Sequence, residues 1–150
     1  MKSLFDAGTV AEIMMRIRRL DVRNEARWGR MNVAQALAHC TAVLELALGI
    51  RRPPPLLIGR ILGGALKRRA LGSDAPIRRN SPTLEDLVVL DWRDLDAERE
   101  RLSALIQQFA ASGPALCTAH PHPFFGRLSP HEWAVFEYKH IDHHLRQFGG

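Results

Sequence analysis

The stretch Asn32-Val33-Ala34-Gln35-Ala36-Leu37-Ala38-His39-Cys40-Thr41-Ala42-Val43-Leu44-Glu45-Leu46-Ala47-Leu48 decides the fold class. Asn32 is a good N-cap with Gln35 at the third helical position, and Gly49 stops the run. Between them lies a segment that is apolar on nearly every side. A helix of that kind is enclosed by other helices rather than laid on a surface. Towards the N-terminus, Thr9-Val10-Ala11-Glu12 reads as a capping box ahead of Val10, Ile13, Ile17 and Leu20 at helical spacing. Asp21 to Arg30 links the two helices. Towards the C-terminus, Arg51-Arg52-Pro53-Pro54-Pro55 blocks continuation, and a shorter amphipathic piece spans roughly Leu56 to Ala70. Thr83-Leu84-Glu85-Asp86 predicts the start of a long third helix. Its expected buried stripe is Leu84, Leu87, Val88, Trp92, Leu95, Leu102, Leu105, Ile106 and Phe109, ending at Ser112-Gly113-Pro114. Ser129-Pro130-His131-Glu132 is a further capping box with proline at the first helical position, opening a last helix towards Gly149-Gly150. No strand-length alternation competes. The expectation is a single all-α domain over residues 1–150: a four-helix bundle with an extra short helix between the second and third long ones.

Composition narrows the function. The 150 residues are 46% hydrophobic and 25% charged, so disordered and fibrous classes are excluded. Cys40 and Cys117 are too few for a disulfide framework, and no CxxC pair offers a structural zinc site. With no signal-peptide pattern at the start, a reducing, cytoplasmic setting is expected. The net charge of +5 invites a nucleic-acid reading. Its distribution argues against one: eight basic residues face only Asp74 between Arg51 and Arg79, and no stacking aromatics interleave them. Packing of the basic helix as a cover over the bundle is favoured over a membrane surface. The longest uncharged run, Leu102 to Gly126, carries prolines and a Gln107-Gln108 pair that no membrane-spanning helix would hold.

The histidines carry the chemistry. At about 100° per residue, His39 shares a helix face with Gln35, Ala36, Ala42, Val43 and Leu46, so it points into the bundle. The last helix reads Lys139-His140-Ile141-Asp142-His143-His144-Leu145. His140 and His144 stack one turn apart, about 6 Å, on a face shared with Trp133, Phe136, Glu137, Gln147 and Phe148. A His140/His143 pairing is the weaker alternative, and Asp142 points away, which excludes the zincin arrangement. Two stacked histidines and one inward histidine make three ligands, the number an open catalytic metal site uses. Glu137, one turn before His140, is the candidate general base or orienting carboxylate. His120 and His122 flank Pro121 in what reads as a rigid connector. Cys40 should pack as a small hydrophobe, and Cys117 is a lone loop thiol.

At this point a family resemblance enters. Trp28-Gly29-Arg30-Met31-Asn32 leading to Ala38-His39-Cys40, together with the ending His140 to Gln147 (His-x-x-His-His-x-x-Gln), resembles the DinB/YfiT-like superfamily. His122-Pro123-Phe124-Phe125-Gly126-Arg127-Leu128-Ser129 and the stretch Tyr138 to Phe148 look like one subgroup of unassigned function. The resemblance spans nearly the whole chain. It implies a four-helix bundle and a divalent metal, nickel or zinc, held by His39, His140 and His144. The superfamily includes thiol-dependent transferases and a maleylpyruvate isomerase, so the resemblance admits a low-molecular-weight thiol as co-substrate. Two functions are carried forward. One is a metal-dependent transferase or hydrolase acting on a small electrophilic molecule; the other is a non-catalytic module with a structural metal or none. A small-molecule substrate and a homodimer are the partners expected, with neither nucleic acid nor stable membrane insertion.

Overall fold

Capping chemistry fixes where the helices begin. In the computed structural model, which describes residues 1–150, the Asn32 side chain accepts from the Gln35 amide and the Gln35 side chain accepts from the Asn32 amide, both at 2.9 Å. Ser129 and Glu132 reciprocate in the same way, with Pro130 at the first helical position. Five α-helices result: α1 (Ala7–Arg19), α2 (Val33–Ala47), α3 (Leu57–Leu71), α4 (Leu95–Ser112) and α5 (Pro130–Gln147). There is no β-strand; the sole bridge joins His122 to Gly126. No helix is long and apolar enough to cross a membrane.

Two expectations are corrected. The first helix starts at Ala7 because the Asp6 carboxylate takes the Thr9 amide at 2.6 Å, which leaves Thr9 buried inside the first turn. The third long helix starts at Leu95, eleven residues later than Leu84. Its cap is Asp94, which accepts from the Ala97 amide at 2.8 Å. Ahead of it, residues 84–94 form a 3-10 turn, Glu85–Leu87, and extended chain tied to α2 by Gln35 Nε2 donating to the Asp91 carbonyl at 2.9 Å. Leu84 and Leu87 fall on one side of a 3-10 turn as readily as of an α-helix, so their spacing does not separate the two. Trp92, expected in the stripe, is 82% exposed.

The four expected long helices form a square. Both α1 and α2 lie against α4 and α5, leaving α1 diagonal to α2 and α4 diagonal to α5. The core between them includes Leu4, Ile13, Ile17, Leu37, Leu44, Leu102, Ile106, Phe109, Trp133, Ile141 and Leu145. Every residue of α2 is buried, as its all-round apolar pattern requires. The extra helix, α3, was expected to be short but at 15 residues is as long as α2, and it rides outside the square against α5. Gly59 and Gly63 let it close on the segment 123–126: a Cβ on Gly59 would stand 2.1 Å from the Pro123 carbonyl oxygen. That contact seats the connector carrying His122 against α3.

Candidate metal centre

Because α2 and α5 are neighbours in the square, the inward histidine of one meets the stacked pair of the other. His39, His140 and His144 each present a ring nitrogen, and these lie within 4.8 Å of one another. All three rings are buried. His39 Nδ1 donates to the Leu87 carbonyl at 2.6 Å, because a carbonyl can only accept. That fixes the tautomer and leaves the Nε2 lone pair pointing inward, 3.1 Å from His140 Nε2. His144 Nδ1 donates to Gln147 Oε1 at 2.8 Å, freeing its Nε2 in the same way. Gln147 is itself held by its Nε2 donating to the Trp28 carbonyl at 2.5 Å. An imidazole whose outer nitrogen is tied to an acceptor, with its inner nitrogen bare, is prepared as a metal ligand. Two nitrogens bound to one tetrahedral ion at about 2.0–2.1 Å would stand about 3.3 Å apart, close to the 3.1 Å between His39 Nε2 and His140 Nε2.

Burial, reinforced by the neighbouring imidazoles, disfavours protonation of all three. It pushes His144 down to about 3 and holds His140 well below, and His39 below, the ordinary histidine value. Neutral rings are the ligating form. His140 differs from its partners in one respect: its Nδ1 is buried with no hydrogen-bond partner. Glu137, three residues before it on α5, is fully buried, and neither of its carboxyl oxygens has a partner. Burial raises the Glu137 pKa well above the usual carboxylate range, which favours the neutral acid.

The remaining histidines stand outside the cluster. His143 is saturated: Nδ1 donates to the Ile77 carbonyl at 3.2 Å and Nε2 accepts from Trp28 Nε1 at 3.2 Å. His120 Nε2 donates to the Pro53 carbonyl at 2.9 Å. His122 Nδ1 accepts from the amides of Phe124 and Phe125, and its ring stacks on Phe125 with centroids 4.5 Å apart. Cys40 is buried and its thiol is held protonated; burial likewise lifts Cys117 to about 11, so neither is poised as a nucleophile.

A model of the family described as "Protein of unknown function (DUF1569)" matches residues 4–149. The chain belongs to the DUF1569 family. The matched span includes all three clustered histidines and the groups that orient them. No curated protein and no solved structure is significantly similar to this DUF1569 chain. Sequence reasoning missed the orienting groups of the site. Gln147 carried a signal, since it sits three residues after His144 on the same helix face. The Leu87 carbonyl carried none.

Proposed function

We propose that the three histidines hold a divalent ion, zinc or nickel, and that this DUF1569 protein is a metal-dependent transferase or hydrolase acting on a small electrophilic molecule. The observation that carries the proposal is the pair of tied outer nitrogens, His39 Nδ1 on the Leu87 carbonyl and His144 Nδ1 on Gln147, which leave bare inner nitrogens beside His140. The DinB/YfiT-like resemblance supports the same three ligands, the bundle arrangement and a low-molecular-weight thiol as co-substrate. An ion bound there would supply Lewis acidity to a water or thiol nucleophile. The chain's own residues do the rest. His39 and His144 enter with their orientation already set, which lowers the cost of ordering them. His140 has a proton to relocate: Nε2–H donates to His39 while the site is empty of metal, and once Nε2 ligates the proton belongs on Nδ1. Glu137, unpartnered on the adjacent turn of the same face, is the group placed to receive that hydrogen bond. It acts there as a positioning residue.

The burial of all three rings favours the second reading, a structural ion in a binding module. One experiment separates the two. Untagged protein should contain about one zinc or nickel ion per chain by elemental analysis. The cobalt-substituted form should change its visible spectrum when a low-molecular-weight thiol is added, because an exchangeable position is then filled. A bound ion with an unresponsive spectrum assigns the structural role. A chain that takes up no ion even when supplied with excess metal overturns both.

A further inference from the structure

We propose that a cavity beside the metal centre is a binding site for the oxyanion of a small molecule, a carboxylate or phosphate group. The cavity, about 510 Å³, is walled by Arg27, Arg78, Arg79 and Arg146 together with Trp28 and His143, and no acidic side chain lines it. That volume suits a small-molecule ligand. Four guanidinium groups around one hollow give it a positive potential that draws an anion in.

Three of the four guanidinium groups are uncommitted. Arg27, Arg78 and Arg79 enter none of the twelve ion pairs of the chain. Only Arg146 has a carboxylate within reach, Asp142 at 3.8 Å, and that carboxylate is already bonded by Arg16 at 2.7 Å. All four arginines are exposed, and the fold steers the chain at two of them. The Arg79 guanidinium sits over the Trp28 ring, 4.5 Å from its centroid, and Trp28 is anchored by its Nε1–H bond to His143. Asn80 turns the chain after Arg79 with φ 54°, a left-handed conformation that asparagine tolerates better than most residues. The main chain at Arg27 is held by its amide, which donates to the Gln147 carbonyl at 2.9 Å. Planar guanidinium forks around one hollow match the bidentate geometry of carboxylate and phosphate oxygens.

The site stands on the cavity and goes beyond the metal reading; it does not require an ion on the histidines. Its position ties it to them physically. Trp28 forms a wall of the cavity, its carbonyl holds Gln147, and Gln147 orients His144. A ligand bound by its oxyanion would rest one side chain away from the histidine cluster.

The test uses the full chain stripped of metal, titrated calorimetrically with sodium phosphate, sodium malonate and sodium chloride at matched ionic strength. One phosphate or one malonate per chain should bind saturably, with chloride silent. Preference for phosphate marks a phosphate-bearing ligand and preference for malonate a carboxylate-bearing one. Arg27→Ala and Arg79→Ala should each weaken that binding at least about tenfold. Arg68→Ala, on the exposed face of α3, should leave it unchanged. As a second readout, phosphate or malonate should alter the fluorescence of the Trp92→Phe protein by engaging the Arg79 guanidinium that lies over Trp28. The proposal is overturned if neither anion binds, if Arg79→Ala binds as well as the unaltered chain, or if Arg68→Ala weakens binding equally. It is also overturned if a DNA oligonucleotide outcompetes both with steep salt dependence distributed over the α3 arginines, which would make the surface a polyanion track. Because the assay is metal-free, its outcome is independent of the metal analysis above.

Discussion

His143 and His144 are adjacent in the chain and opposite in role. His143 has both nitrogens engaged, by Ile77 and Trp28, whereas His144 keeps Nε2 bare beside His39 and His140. Sequence spacing was enough to choose between them, because the i,i+4 pair stacks on one face and the i,i+3 alternative lies off it. Replacing His144 by Ala should therefore abolish stoichiometric zinc or nickel binding, while His143→Ala retains it; elemental analysis of the two dialysed proteins decides. Gln147→Leu should weaken metal affinity about 10- to 100-fold, since the outer nitrogen of His144 then loses its acceptor. Retention of full affinity by Gln147→Leu would deny that residue its orienting role. Glu137 was legible as a candidate from its place on the helix. Its neutral state was not, because that follows from complete burial without a partner.

Helices announce themselves by period and cap, which is why α2 and α5 were readable in full and α4 was not. In α2 and α5 a reciprocal capping box stands directly before the apolar pattern. Before α4 the pattern continues upstream through Leu84 and Leu87 by the coincidence of 3-10 and α spacing, and the governing signal was the single cap Asp94. The extra helix shows a further element-level constraint. Gly59 faces the Pro123 carbonyl at a distance no Cβ could occupy, whereas Gly64, on the same helix, has open space around it. Gly59→Ala should cost about 1–3 kcal/mol by forcing α3 off the connector. Gly64→Ala should stabilise the protein by about 0.5–1 kcal/mol through helix propensity alone. Urea unfolding of both variants measures the contrast, and equal effects would mean that α3 does not dock through Gly59.

Across the whole molecule, buried titratable groups set how stability responds to acid. Burial pushes His122 down to about 3, so between the ordinary histidine value near 6.5 and that point the unfolded chain takes up a proton that the fold refuses. Stability from this source is complete above about pH 6.5 and drains away as pH falls towards 3. Glu137 works in the opposite direction: the fold keeps its proton, and the cost of doing so grows as pH rises above the unfolded carboxyl value near 4.5. The histidines lowered by burial outnumber it, so the melting temperature of metal-free protein should fall between pH 7 and pH 4. A melting temperature that holds or rises over that interval would contradict the burial of these rings. The bundle and the face-sharing of its clustered histidines were legible in the chain because periodicity and spacing encode them; what orients the rings was less so, because apart from Gln147 it is main chain. The carbonyls of Leu87, Ile77 and Trp28 secure His39, His143 and Gln147. A peptide oxygen survives a side-chain replacement, so what these bonds demand of positions 77 and 87 is the path of the chain, while burial of Leu87 in the core and packing of Ile77 against it keep both positions apolar. A single inserted or deleted residue in either of the loops that carry them would re-phase the carbonyls and misaim the rings. Relatives of this protein should accordingly vary in spelling along these loops while keeping their length.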